Sequence, residues 1–178
     1  PIEGEAGVGY RLGKDFELPP LMFTVDEIQA LVLGARMVES WGDELLQRAA
    51  ESVIEKVHAA LPESERGRVH NTALFSLSFH VPPAVRTRMG QLRRAIDEHH
   101  RVSLRYEDRG GQATVRTVRP LGLYFWGSAW TLGAWCELRQ GFRNFRLDRI
   151  EEADVLDSTF ALEPPVTLDD YVKAMAGE

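Results

Sequence analysis

The sequence predicts an α+β fold in which a helical hairpin precedes a small antiparallel β-barrel of five short strands. Three observations carry that expectation. A capping box opens a helical period at Thr24, the apolar period changes from helical to two near residue 100, and glycine-containing turns punctuate the fifty residues that follow.

Residues 1 to 23 alternate glycine with extended-type residues and end in LPPLMF, whose two prolines exclude a continuous helix; a hairpin and then a linker are expected. In TVDEIQALVLGARMV, Thr24 and Glu27 are spaced to satisfy each other's free backbone N–H groups, and Ile28, Leu31, Val32 and Ala35 follow at helical spacing. Trp41-Gly42-Asp43 breaks the pattern, and a second helix runs from about Glu44 to Leu61, where Pro62 stops it. The pair carries more apolar side chains, Leu31, Leu33, Leu45, Val53 and Val57 among them, than two helices hide between themselves. A further surface, such as a second subunit, is expected to cover them.

ALFSLSFHV (73 to 81) alternates as a strand, and from Pro83 the residues Val85, Met89, Leu92 and Ile96 mark one face of a helix that closes near His99. RVSLRYE then sets Val102, Leu104 and Tyr106 on one face. DRGG signals a hairpin, and ATVRTVRPLGLYFW, AWTLGAWCEL and FRNFRL supply further strands with turns at Gly127-Ser128 and Gln140-Gly141. Five short strands in about fifty residues cannot hide two faces as a flat sheet, which is why a curled barrel is expected. Thr167 caps a last short helix, LDDYVKAM.

The charge is unevenly placed. The chain of 178 residues carries −6, but residues 101 to 149 hold nine arginines, no lysine and only four acids, a surplus of +5 that leaves −11 on the remainder. Such a split fits a basic region that meets an anionic partner. Arginine without lysine favours bidentate contacts to phosphate or carboxylate and stacking on aromatic faces. No apolar run approaches the roughly 18 residues of a membrane span and no signal-peptide pattern opens the chain, so a cytoplasmic protein without membrane contact is expected. The single cysteine, Cys136, excludes an internal disulfide.

A search for chemistry is mostly negative. GVGYRL lacks the third glycine of a dinucleotide fingerprint and precedes prolines instead of a helix; no phosphate loop ending in Lys-Ser/Thr occurs. The five histidines include no pair at i, i+4 and no cysteine partner. Neither metal, cofactor nor enzymatic activity is expected. Within LYFWGSAWTLGAW (123 to 135), Trp126, Trp130 and Trp135 fall inside ten positions, and Trp130 and Trp135 must face opposite sides of a strand, one of them inward.

RTVRPLGLYFWGSAWTLGAWCELRQGFRNFRLDRI, with the preceding LRRAIDEHHRVSLRY, resembles the WYL domain of bacterial transcriptional regulators. Its Trp-Tyr-Leu motif is here Trp130-Thr131-Leu132, with threonine in place of tyrosine, and FRLDRI (145 to 150) matches well. IEGEAGVGYRL resembles the wing of a DeoR-type winged helix-turn-helix, with Gly7, Gly9, Tyr10 and Arg11 as the wing's DNA-facing residues and the helix-turn-helix proper outside this chain. The resemblance implies an Sm-like or SH3-like barrel over 71 to 162, a wing remnant and linker over 1 to 23, a linker and dimerisation hairpin over 24 to 70, and a tail over 163 to 178. It also implies an effector-sensing portion of a homodimeric regulator that contacts duplex operator DNA through its helix-turn-helix. The effector is expected to be anionic, single-stranded nucleic acid or a small metabolite, held by Tyr106, Arg119, Tyr124, Arg143, Arg146 and Arg149. The competing expectation is a protein–protein or dimerisation module that senses no ligand. On FRNFRL, Arg143 and Arg146 fall on opposite faces, so they share a site only at a bulge or strand end.

Overall fold

The computed structural model describes residues 2–5, 9–12, 21–64, 66, 81–108 and 110–177, with backbone alone over the first two stretches. Gly7, and residues 73 to 80 of the strand expected over 73 to 81, lie outside the described residues. Strands β1 (Ile2–Glu5) and β2 (Gly9–Leu12) pair antiparallel, which sets Gly9, Tyr10 and Arg11 against Glu5, Gly4 and Glu3.

Helix α1 (Val25–Trp41) starts on the Thr24/Glu27 capping box. Helix α2 (Glu44–Ala60) starts on Asp43, whose Oδ1 accepts from the N–H groups of Leu45 and Leu46 at 3.0 Å each. The same carboxylate, with its side chain 2% exposed, is gripped by Arg93 at 2.8 Å, so one residue caps α2 and ties it to the next helix. That helix, α3 (Pro83–Asp97), begins with proline, whose missing N–H costs nothing in the first turn. Its inward face is Val85, Met89, Leu92 and Ala95.

The carbonyls at the end of α1 have no intrahelical partner. Distant side chains supply them: Gln47 of α2 donates to Glu39 O, Arg86 of α3 to Ser40 O at 3.1 Å, and Trp130 Nε1 to Trp41 O at 3.0 Å. Trp41 and Trp130 also both pack on Phe125, with ring centroids 4.9 and 5.2 Å away. The hairpin thus meets the sheet at a joint that is polar at the backbone and aromatic around it.

The sheet holds β3 (His100–Glu107), β4 (Ala113–Phe125), β5 (Trp130–Cys136), β6 (Gly141–Arg146) and β7 (Ile150–Thr159), all antiparallel, in the order β6-β5-β4-β3-β7. The edge strands β6 and β7 are joined by a single 3-10 turn, Leu147–Arg149. Four residue steps span at most about 14 Å, whereas the outer strands of a flat five-stranded sheet lie about 19 Å apart. The sheet therefore has to roll, and Tyr106 of β3 accordingly meets Phe145 of β6 edge-on at 5.1 Å. The expected barrel is realised as a curled sheet whose edge strands are not hydrogen-bonded to each other among the described residues. Register shifts between Pro120 and Gly122 on β4, and at two places between β3 and β7, mark bulges that bend it.

The concave face packs on α3. Met89, Leu92, Val102, Leu104, Val118, Leu132, Leu147 and Ile150 form a core in which each is at most 2% exposed, and full burial of such a side chain stabilises by roughly 1.5–3 kcal/mol. Arg88 of α3 reaches over the 3-10 turn, donating to Leu147 O at 2.8 Å and Glu151 O at 3.0 Å, and so fixes the crossing. The other face is covered by helix α4 (Leu168–Ala176), started by the Thr167/Asp170 capping box. Its Tyr171, 2% exposed, forms a second small core with Leu121 and Phe160, against which Tyr124 and Phe142 pack.

Candidate anion-binding site

Strand alternation sorts the arginines of the sheet between its two faces. On the face opposite α3, Arg119 lies at 2.6 Å from Glu137, and Arg101 approaches the same carboxylate at 3.5 Å. The hydrogen bond from Arg119 holds the Glu137 carboxyl below its ordinary value, against the opposing effect of burial. Arg105 meets Glu151 at 2.6 Å. Arg146 grips Asp148 with two parallel hydrogen bonds of 3.0 and 2.7 Å, which lower that carboxyl in turn. Arg149, half-buried in the 3-10 turn, adds to the same field around Asp148.

Three arginines are arranged otherwise. Arg116, Arg139 and Arg143 have no carboxylate partner among the described residues, and they border one cleft of about 190 Å³. Arg116 stands opposite Leu104 in the β3–β4 register and so points to the α3 side, beyond the end of the apolar core. Arg143 stands opposite Ala134 on the same side, and Arg139 comes from the β5–β6 turn. Tyr106, Phe145 and buried Cys136 form the inner wall. Each of the first and last of these arginines spends one N–H on a neighbouring carbonyl, Arg116 on Val115 O at 3.4 Å and Arg143 on Phe142 O at 2.9 Å. The remaining donors of their guanidinium forks are open to a ligand. Asp108 supplies the cleft's one carboxylate, and its Oδ1 accepts from the N–H groups of Gly110 and Gln112, closing the β3–β4 turn.

The structure thus brings Tyr106 and Arg143 together and adds Arg116 and Arg139, which the sequence reading did not single out. It sets Arg119 and Arg146 on the opposite face in ion pairs. Tyr124 lies against Tyr171 at 5.2 Å, away from the cleft, and its phenol is raised by burial and by that neighbour. The opposite-face reading of Arg143 and Arg146 matches the β6 alternation, in which Arg143 and Phe145 share a side. The tryptophans separate likewise: Trp130 packs against the core, Trp135 meets Phe142 edge-on at 5.1 Å on the other face, and Trp126 is 65% exposed. Thr131 is buried, and its hydroxyl accepts from Trp126 Nε1 at 2.8 Å. Among the described residues there is no cluster of histidine, cysteine and carboxylates suited to a metal ion. No helix there is long and apolar enough to cross a membrane.

The fold is a rolled five-stranded sheet packed on one helix, with an arginine-lined cleft at the end of its core. Residues 88–155 match the family model of the WYL domain. A 66-residue stretch is 33% identical to an uncharacterized HTH-type transcriptional regulator, YobV, of Bacillus subtilis strain 168, covering 37% of this chain and 21% of that protein. Among solved structures, the proteasome accessory factor B/C of Arthrobacter aurescens is similar at 29% identity, covering 84% of this chain and 24% of that one with a TM-score of 0.42. The chain therefore spans about a fifth to a quarter of the length of these relatives.

Proposed function

We propose that this chain is the effector-sensing portion of a DNA-binding transcriptional regulator, and that its WYL domain binds an anionic ligand through Tyr106, Arg116, Arg139 and Arg143. The observation that carries the reading is the contrast between these three arginines, which lack carboxylate partners, and the four on the opposite face that are held in ion pairs. The similarity to the HTH-type regulator of Bacillus subtilis supports the DNA-linked role. In this reading the β1–β2 hairpin is the wing of a DeoR-type winged helix-turn-helix, the effector is single-stranded nucleic acid or a small anionic metabolite, and the protein works in the cytoplasm.

The domain division follows the same reading: wing and linker over 1 to 23, helical hairpin over 24 to 70, sensing domain over 71 to 162 and tail from 163. Effector binding shifts the population between arrangements of the hairpin to the extent of its differential affinity for them. The hairpin itself serves as the homodimer interface. Supporting this, α1 and α2 enclose an apolar groove of about 720 Å³ floored by Ala30, Gly34, Ala49 and Ala50 and flanked by Leu31, Val38 and Val53, each 39–43% exposed.

Fluorescence anisotropy of labelled single-stranded and duplex DNA with this chain, at several salt concentrations, tests the proposal. Salt-sensitive binding that prefers single strands is expected, since each phosphate contact releases a counterion. Arg143→Ala is expected to weaken it several-fold and flatten the salt slope. Binding that ignores both salt and Arg143 would refute this site.

A further inference from the structure

The charge and size of the cleft narrow its ligand further. Arg116, Arg139 and Arg143 bring three positive charges to one opening and Asp108 returns one negative charge, so the site presents a net +2. A phosphodiester within a nucleic-acid backbone carries one negative charge and two non-bridging oxygens. A terminal phosphate carries about −1.5 to −2 at neutral pH and three acceptor oxygens. Three guanidinium groups lining one cleft match the second and over-provide for the first.

Size points the same way. At about 190 Å³, the cleft falls short of the roughly 300–1,000 Å³ that encloses a whole small ligand. It takes a head group and leaves the rest outside, over the exposed ends of Arg139 and Arg143. The inner wall suits such a group: Tyr106 is half-buried with its ring braced on Phe145, and the Thr114 hydroxyl is spent on Tyr106 O at 3.3 Å. The Asn144 amide, also in the lining, donates to Met175 Sδ at 3.1 Å, so the Tyr106 phenol and the arginines are the main donors left on the cleft wall.

We propose that the cleft is a receptor for a terminal phosphomonoester, carried on the end of an oligonucleotide or on a free nucleotide. This rests on the reading of the domain as an anion sensor and adds the class of anion. The test is competition anisotropy with the full chain, using eight-residue thymidylate strands that bear a 5′-phosphate, a 3′-phosphate or hydroxyls at both ends, together with thymidine 5′-monophosphate and inorganic phosphate. A phosphorylated strand is expected to bind at least tenfold more tightly than the hydroxyl strand. The advantage is expected to shrink as pH falls from 7 to 5, through the second phosphate ionisation near pH 6, and to vanish in Arg116→Gln and Arg143→Gln chains whose thermal unfolding is unchanged.

Thymidine monophosphate competing as well as the phosphorylated strand supports the proposal and identifies a free nucleotide as the source. Weaker competition supports an oligonucleotide end. Equal affinity for phosphorylated and hydroxyl strands, both weakened by the arginine substitutions, would overturn the terminal-phosphate receptor while leaving the anion sensor standing. Strand binding indifferent to those substitutions, or no binding of any of these anions, would overturn both.

Discussion

At Gly133 an added Cβ would lie 2.5 Å from Cζ of Tyr171 and 2.8 Å from Cε2 of Tyr124. Both rings are braced, Tyr171 against Phe142 at 5.8 Å and Tyr124 against Tyr171 itself, so neither can step aside without opening the second core. The Tyr171 hydroxyl further donates to Asn144 Oδ1. Gly133→Ala is therefore expected to displace Tyr171 and destabilise the fold by about 1–3 kcal/mol, read as a fall in urea midpoint with an unchanged slope. Asp43 is the second residue on which much hangs. Burial opposes its charge, but the hydrogen bonds from Arg93, Leu46 and Leu45 outweigh burial and hold the carboxyl below its ordinary 3.8. A carboxyl depressed in the folded state stabilises fully above its unfolded value, and that contribution is lost as pH falls through the lower folded value. Asp43→Asn leaves a cap but breaks a buried pair. It is expected to cost about 3 kcal/mol at pH 7 and to lessen the loss of stability between pH 5 and 2, measured by urea unfolding. The sequence showed Trp41-Gly42-Asp43 only as a break between helices, because the arginine that gives Asp43 its second role lies fifty positions on.

Among elements, those whose physics is local were readable. The Thr24 capping box, the Thr167 cap, the stop at Pro62 and the period of α3 depend on neighbours within four residues, and the observed α1, α2, α3 and α4 follow the expected bounds closely. Strand β7 was not singled out. Its sequence, IEEADVLDST, carries Glu151, Glu152, Asp154 and Asp157, and an edge strand with charges of this kind has neither clean alternation nor a high strand propensity. What makes it a strand is β3, against which it pairs over almost its whole length. The cleft was half legible for a similar reason. Tyr106 and Arg143 stand out by composition and parity, whereas Arg116 joins them only through the β3–β4 register and Arg139 only through the β5–β6 turn. The DRGG turn, which fixes that register, held the missing signal for Arg116.

For the molecule as a whole, the arginine-lined cleft and the apolar groove are built from different elements. The arginine-rich span builds the sheet and its cleft, while the helical hairpin carries an apolar groove whose lining has Glu27 as its one charged residue. If that groove is the homodimer interface, Leu31→Asp combined with Val53→Asp is expected to weaken self-association by at least tenfold, since each buried aliphatic side chain contributes roughly 1.5–3 kcal/mol. Sedimentation equilibrium checks this, and circular dichroism confirms that the helices persist. A dimer unchanged by both substitutions places the interface elsewhere. Between groove and cleft lies the joint where the carbonyls of Glu39, Ser40 and Trp41 are held by Gln47, Arg86 and Trp130. Any swing of the hairpin against the sheet has to break the bond between an indole and a backbone carbonyl and part Trp41 from Phe125. The hinge thereby carries its own optical probe: ultraviolet emission from Trp41 and Trp130 registers the movement in the unlabelled protein.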